Sequence, residues 1–130
     1  RKKVTGLVKD AFSRLLIKAT GPEQRSGTLS GGNQQKVVLS KWFMTESKVL
    51  ILDEPTRGVD VGAKAEIYEL ITEMVSKGLS VIMISCEESE MLGMCHRILV
   101  MRDGEIIGEF NREDATQEKL VGLCMGGKTV

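Results

Sequence analysis

The hydrophobic positions in the first third of the chain follow helical spacing. From Val4 to Ile17 they fall on one face, with charged residues left for the other, which predicts an amphipathic helix. Residues 18–28 are rich in Gly, Pro, Ser and Thr and predict a surface connection. A second helix is predicted from Ser30 or Gly31 through Phe43, with Trp42 and Phe43 at core-facing positions.

The middle of the chain has the pattern of a β-α-β unit. Lys48–Leu52 is β-branched and aliphatic on both faces from Val49 onward, as expected of a parallel strand covered by helices on both sides, and Pro55 ends it. Apolar positions at helical spacing predict a helix over Gly62–Ser76, and Gly78 occupies its C-cap position. A second strand is predicted at Leu79–Ile84.

The last third of the chain predicts several short elements. They are a helix at Glu87–Met94, a strand at Arg97–Met101, a strand at Glu105–Phe110, and a helix that follows residues 111–114 and runs through Leu123. Asp103-Gly104 between the two strands is a strong two-residue hairpin signal. The sequence therefore predicts an α/β fold with a mainly parallel sheet, a C-terminal antiparallel hairpin and helices on both faces.

Composition narrows the classes of function. The chain has 130 residues, with 18 Lys+Arg against 18 Asp+Glu, so it is at most one compact domain and has no basic footprint for nucleic acid. No apolar run approaches the roughly 20 residues that span a bilayer, and no signal-peptide pattern follows Arg1. Cys86, Cys95 and Cys124 lack Cys-x-x-Cys spacing, which indicates reduced, mainly buried thiols in a cytosolic protein.

Two motifs carry candidate chemistry. The first is the turn Leu29-Ser30-Gly31-Gly32-Asn33-Gln34-Gln35, where glycines let the backbone approach a phosphate and a helix N-terminus offers unpaired N–H groups. The second is Asp53-Glu54 at the end of the apolar strand, a place to hold Mg²⁺ and activate a water. Taken alone, the turn is more often an ordinary helix cap, and the acidic pair is more often the solvated start of a loop. The turn followed closely by the acidic pair indicates a nucleoside triphosphatase.

Together the motifs resemble the ATP-binding subunits of ABC transporters, from Gly27 to about Val121. Residues 57–64, 97–101 and 115–118 are most similar to the second nucleotide-binding half of ribose-type monosaccharide importers. The resemblance implies a partial P-loop NTPase core: residues 1–47 would be part of the helical signature subdomain and residues 48–125 part of the RecA-like core. The Walker A portion is absent from these residues, and Arg rather than Met at position 1 suggests that chain has been removed upstream.

The resemblance also implies roles for particular residues. Leu29–Gln35 would be the ABC signature, contacting the γ-phosphate of ATP held by the opposite half. Asp53 would be the Walker B aspartate that orients Mg²⁺, and Glu54 the general base. Asp60 would be the D-loop aspartate between the halves, although a helix N-cap is an equally open interpretation.

Two departures from the family pattern qualify this picture. Cys86 stands where the family usually has the switch histidine, and a thiol cannot act as an imidazolium-like sensor. The site that includes Asp53 and Glu54 is therefore expected to hydrolyse ATP slowly, and His96 is interpreted as a surface or packing residue. Residues 122–129 satisfy G-x-x-x-x-G-K-T by letter, but they follow a predicted helix rather than a strand, so we interpret them as a chance match.

The expected parent protein uses ATP and Mg²⁺ to drive monosaccharide import from the cytoplasmic face of the membrane. Its expected partners are the other ABC half of the same polypeptide, transmembrane permease subunits and, indirectly, an extracellular or periplasmic sugar-binding protein. The 130 residues alone are expected to be inactive. The alternatives are an ABC ATPase of a soluble non-transport machine and a small interaction module with a merely structural signature.

Overall fold

The computed structural model describes residues 6, 12, 15–45 and 47–126. The chain divides into two compact units, Arg1–Ile82 and Met83–Val130, which are described separately below. The elements are a 3₁₀ turn Ser26–Thr28, α1 Gly31–Phe43, β1 Val49–Asp53, α2 Val61–Ser76, β2 Ser80–Ile84, α3 Glu88–Met94, β3 Arg97–Arg102, β4 Glu105–Asn111 and α4 Gln117–Cys124.

Most of the helix predicted at Val4–Ile17 lies outside the described residues. Gly6 and Phe12 are helical, but Leu15 and Leu16 form a turn, so the predicted end at Ile17 is wrong. The cause is Leu16, whose φ of 49° is left-handed and cannot continue a helix. This turn leaves Leu15 and Ile17 buried in one cluster with Leu70 of α2.

The first unit contains α1, α2, β1 and the first three residues of β2, and β1 and β2 form a two-stranded parallel sheet. Strand β1 alternates in burial, with Leu50 and Leu52 buried on one face. On the other face Val49 and Ile51 are 54% and 64% exposed, contrary to the burial predicted for this strand. An aliphatic pattern shows what a strand is suited to bury, but not what covers it.

Helix α2 has the caps that its sequence predicts. Asp60 is the N-cap residue, and its Oδ1 accepts a hydrogen bond from the Ala63 N–H at 3.0 Å. At the other end Gly78 has a φ of 93°, and the N–H of Leu79 donates to the Met74 carbonyl. This is a Schellman motif, so the predicted glycine cap is confirmed.

The second unit contains the predicted hairpin. Strands β3 and β4 pair antiparallel with Arg102 opposite Glu105, and the turn residues Asp103 and Gly104 both have positive φ, 52° and 83°. Positive φ at both positions is the type I′ geometry that suits the twist of two strands. Helix α4 packs against the hairpin so closely that a Cβ on Gly108 would lie 2.5 Å from Leu123 Cδ1.

Several side chains differ in burial from their prediction. Trp42 is 50% exposed rather than core-facing, and the Phe43 side chain lies outside the described residues. Cys86 and Cys124 are exposed rather than buried. Cys95 is half-buried, and desolvation together with nearby Glu90 raises the pKa of its thiol.

Two remaining expectations concern surface and membrane. His96 is exposed, as expected of a surface residue. In the part of the chain that the structure describes, no helix combines the length and apolar character needed to cross a membrane.

Candidate functional site

The turn before α1 holds the hydroxyl of Ser30 in a defined environment. Ser30 is the N-cap residue of α1 by its backbone, but its side chain makes no capping hydrogen bond. Instead, Asn33 Nδ2 donates to Ser30 Oγ at 2.8 Å, while Asn33 Oδ1 accepts from the Lys18 N–H at 2.9 Å. Because the Lys18 bond fixes which way the amide faces, Ser30 Oγ is the acceptor and its own hydrogen can be donated to an anion.

The rest of the turn is braced by backbone and side-chain hydrogen bonds. Gln34 Nε2 donates to the Leu29 carbonyl at 2.8 Å, and the Gln34 N–H donates to the Ser30 carbonyl at 2.9 Å. Gly31 is exposed at the start of α1, where the first N–H groups of a helix have no partner within it. Hydroxyl and amide donors therefore face outward together, as an anion site requires.

Gly32 lies where α1 and α2 approach each other. A Cβ built on Gly32 would lie 2.4 Å from Ala63 Cβ, a separation that real atoms do not tolerate. A Cβ on Gly31 would be 3.7 Å from the Gly58 carbonyl, which is ordinary contact. Of the two glycines, Gly32 is thus required by helix packing, while Gly31 leaves the backbone accessible.

Sequence reasoning gave no role to Lys36, which the structure buries at the same helix pair. Lys36 is 1% exposed. Its Nζ is paired with Glu66 Oε2 and donates a hydrogen bond to the Leu16 carbonyl at 3.3 Å. The hydrogen bond from Lys36 holds the pKa of the Glu66 carboxyl below its ordinary value, which favours the carboxylate form of Glu66. One face of α1 carries Gly32, Lys36 and Leu39, at helical spacing. This spacing was the sequence signal that Lys36 lies on the same face as the buried residues.

The acidic pair lies at the end of β1. Asp53 is the last strand residue and is exposed, whereas Glu54 is half-buried with a left-handed φ of 48°. Behind it Pro55 and Thr56 are fully buried, and the Arg57 N–H closes a turn onto the Glu54 carbonyl at 3.2 Å. A buried anchor therefore fixes Glu54 in a left-handed conformation, which is uncommon for a residue other than glycine.

This pair suits one type of metal site. Among the described residues no group of three or more His, Cys, Asp or Glu side chains could hold a metal ion. Mg²⁺ does not need such a cage, because proteins usually bind it through one or two carboxylates, with water and substrate phosphates completing the shell. Asp53 and Glu54 at a strand end fit that limited donor set.

The first unit brings some of the predicted residues to one cavity. A cavity of about 280 Å³ is lined by Lys18, Ser30, Gly32, Asn33, Asp60, Gly62, Ala63 and Glu66. The turn before α1 and Asp60 thus share one cavity, whereas Asp53 and Glu54 are not part of its lining. The arrangement is compatible with the two sequence motifs serving different sites.

The remaining candidates lie in the second unit. Cys86 is exposed in the connection between β2 and α3, where the Glu87 N–H donates to Ser85 Oγ at 3.0 Å. Residues 122–124 of the G-x-x-x-x-G-K-T match are the last residues of α4, so a helix rather than a strand precedes the rest of the match, as predicted, and residues 127–130 lie outside the described residues.

By sequence, the chain is similar to ATP-binding proteins of the ABC transporter family. A profile of the ABC transporter family matches residues 4–57. The ribose import ATP-binding protein RbsA of Lactococcus lactis subsp. cremoris (strain SK11) is 56% identical over 127 residues, 98% of this chain and 26% of that protein. The xylose import ATP-binding protein XylG of Moorella thermoacetica is 59% identical over 115 residues, 88% of this chain and 23% of that protein. The chain spans about a quarter of the length of these relatives.

Solved structures show the same similarity in fold. MJ1267, an ATP-binding cassette of an ABC transporter, matches with a TM-score of 0.76 at 27% identity over 91% of this chain and 48% of that chain. The protein cbiO1 of Clostridium perfringens, part of the transporter complex cbiONQ, matches with a TM-score of 0.74 at 30% identity over 92% of this chain. This chain covers 48% of cbiO1 as well.

Proposed function

The chain is part of an ATP-binding domain of the ABC transporter family, and we propose that its full-length parent hydrolyses ATP to energise monosaccharide import. The observation that carries this proposal is the Ser30 hydroxyl, which Asn33 holds at the N-terminus of α1 with its hydrogen available. A hydroxyl and unpaired helix N–H groups bind a phosphate well, because both donate to negative oxygen. Leu29–Gln35 would then contact the γ-phosphate of ATP held by the opposite half.

The acidic pair would supply the remaining chemistry. Asp53 would hold Mg²⁺ when nucleotide is bound, and the ion would neutralise charge on the phosphates. Glu54, displaced from the strand direction by its left-handed φ of 48°, would accept a proton from the attacking water as general base. Support for separate roles comes from the different exposure of the two side chains, since Asp53 is exposed and Glu54 half-buried.

Cys86 would make the two sites of the parent unequal. At the switch position a thiol lacks the imidazole N–H that could donate to the γ-phosphate. The site built on Asp53 and Glu54 would therefore be slow. The signature would instead complete the faster site, whose P-loop lies in the opposite half.

The parent's assembly follows from the same family assignment. We propose that residues 1–47 belong to the signature subdomain and residues 48–125 to the RecA-like core, with a Walker A portion elsewhere in the parent. The partners would be the second ABC half of the same polypeptide, permease subunits and, through them, a sugar-binding protein, at the cytoplasmic face of the membrane. The relatives' names, ribose and xylose import, support a monosaccharide and leave its identity open. The chain carries 18 Lys+Arg against 18 Asp+Glu, so its net charge lends no support to a nucleic-acid partner.

The test compares two substitutions in the full-length subunit with its permease. Ser30→Arg should abolish ATP-dependent sugar uptake, because a bulky cation would fill the phosphate position, and Glu54→Gln should reduce uptake less. Ser89→Arg, at an exposed position of α3, is the control for adding an arginine and should transport normally. Equal loss from Ser30→Arg and Glu54→Gln would refute the asymmetry.

The same assay separates the alternative function. ATPase activity that neither permease nor sugar-binding protein stimulates would contradict the transport role and favour an ABC ATPase of a soluble machine. Absence of ATPase activity in the unmodified parent would refute both and leave a structural module.

A further inference from the structure

An ion pair between the buried Lys36 and the partly exposed Glu66 connects the signature turn to the segment around Asp60. Lys36 lies six residues after Ser30 on α1, and Glu66 lies six residues after Asp60 on α2. The Lys36 side chain is 2% exposed and is paired with Glu66 Oε2. A lysine ammonium is costly to bury unless it is paired and hydrogen-bonded, and here Glu66 and the Leu16 carbonyl supply both partners.

A second contact point lies on the same two helix faces. Nearer the helix starts, Gly32 packs so tightly that an added Cβ would lie 2.4 Å from Ala63 Cβ. Gly32 and Lys36 are four residues apart, and Ala63 and Glu66 three, so each pair lies on one face of its helix. Two contact points on one face restrict rotation and sliding of α1 against α2, which a single contact would not do.

Lys36 also fastens the segment that precedes the turn. Its Nζ donates to the carbonyl of Leu16 at 3.3 Å, and two residues later the Lys18 N–H donates to Asn33 Oδ1 at 2.9 Å. Asn33 in turn donates to Ser30 Oγ. A chain of contacts therefore runs from the buried ammonium to the hydroxyl that would bind phosphate.

We propose that Lys36 is a positioning residue for ATP hydrolysis, which through its ion pair with Glu66 holds Ser30 and Asp60 in fixed relative positions. The proposal rests on the proposed function, because it assumes that both residues meet nucleotide at the interface between ABC halves. Lys36 touches no part of that nucleotide; it acts through α1 and α2. Without the ion pair between Lys36 and Glu66, Ser30 and Asp60 would no longer keep a fixed distance and orientation relative to each other.

The first measurement is steady-state ATPase activity of the full-length subunit with its permease. Lys36→Met should lower kcat about tenfold or more, with KM for ATP little changed, because misplacement of the signature affects the transition state more than binding of ATP by the opposite half. Glu66→Gln should have a similar effect, and Lys36→Arg, which keeps the charge, should retain most of the activity. The reversed pair Lys36→Glu with Glu66→Lys should recover part of the loss.

The chain offers a matched control. Lys77 and Glu73 form an exposed ion pair at the other end of α2. Lys77→Met and Glu73→Gln repeat the same chemical changes away from the signature turn, and kcat should remain at the wild-type value.

The second measurement does not depend on activity. The amides of Gln34 and Lys64 donate to the carbonyls of Ser30 and Asp60, each at 2.9 Å, and are the first hydrogen bonds of α1 and α2. Hydrogen exchange in the full-length subunit should be several-fold faster at both amides in Lys36→Met and unchanged in Lys77→Met.

Each outcome decides the proposal. Normal exchange at both amides would overturn it, and so would faster exchange with unchanged kcat in an active subunit. A lower melting temperature with normal kcat would show that the pair serves stability alone, which also overturns it. If the unmodified parent lacks ATPase activity, the proposed function has failed, and the exchange measurement by itself decides whether the pair positions the turn.

Discussion

Gly32 is a residue whose lack of a side chain is required by packing rather than by backbone conformation. We expect Gly32→Ala to destabilise the full-length subunit by about 1–3 kcal/mol, because the new methyl forces α1 and α2 apart. The measurement is the denaturation midpoint. Removing the opposing methyl in a Gly32→Ala/Ala63→Gly double variant should restore much of the loss.

Gly93→Ala is the control for this substitution. Gly93 lies inside α3, and a Cβ there would meet nothing within 4 Å. Alanine should therefore stabilise this helix by up to about 1 kcal/mol through its higher helix propensity. A Gly32→Ala variant as stable as the wild type would show that α1 and α2 can separate without loss.

Individual residues show which features local sequence patterns indicate and which they do not. Ser30 and Asp53-Glu54 could be singled out as candidate site residues, because glycine turns and strand-end acids are local patterns, and their roles remain predictions. The burial of Lys36 was not predicted, since its partner Glu66 is 30 residues away and only the packing of α1 on α2 brings them together. The same limit applies to Trp42, whose exposure depends on which elements lie opposite α1.

Helix α2 is the element in which capping and the proposed D-loop role meet, at Asp60. Asp60→Ala removes the bond to the Ala63 N–H and should lower stability by about 1 kcal/mol. Asp60→Asn should keep stability within a few tenths of a kcal/mol, because Asn caps as well as Asp. If the carboxylate charge couples the two ATP sites, Asp60→Asn should nevertheless reduce ATPase activity. Stability is measured by thermal unfolding, and ATPase activity by the release of phosphate.

Thr116→Ala provides the comparison for loss of a cap alone. Thr116 caps α4 by accepting from the Lys119 N–H at 3.3 Å, in the second unit. Its removal should cost stability without changing ATPase activity. Wild-type activity in Asp60→Asn would leave Asp60 with capping as its only role.

The elements were predicted from sequence more completely than their surroundings. The bounds of α2 and the hairpin turn follow from Asp60, Gly78 and Asp103-Gly104, because caps and turns are encoded by residues next to one another. The end of the helix at Ile17 was predicted wrongly, because leucine is not a residue type that signals a left-handed φ. Burial of Leu15 and Ile17 against Leu70 is a long-range effect that outweighs the local preference for helix.

For the molecule as a whole, the α/β class was predictable, but the exposed face of the first sheet was not. Val49, Ile51 and Ile82 are 54%, 64% and 53% exposed on β1 and β2. The aliphatic pattern of Lys48–Leu52 predicted that this strand would be covered on both faces, and nothing in the local pattern could show that one face of the sheet is exposed. Exposed apolar strand residues favour association, both through apolar contact and through pairing of an uncovered edge.

We therefore expect the 130-residue chain on its own to self-associate as its concentration rises, and to show no ATP binding by calorimetry. Ile51→Thr combined with Ile82→Thr keeps β-branched side chains while removing apolar surface, and should shift sedimentation towards the monomer. Val61→Thr is the control: Val61 is 85% exposed, but it lies at the start of α2 rather than on the sheet, so association should persist. A wild-type chain that elutes as a monomer at all concentrations would contradict the first expectation, and tight nucleotide binding would contradict the second.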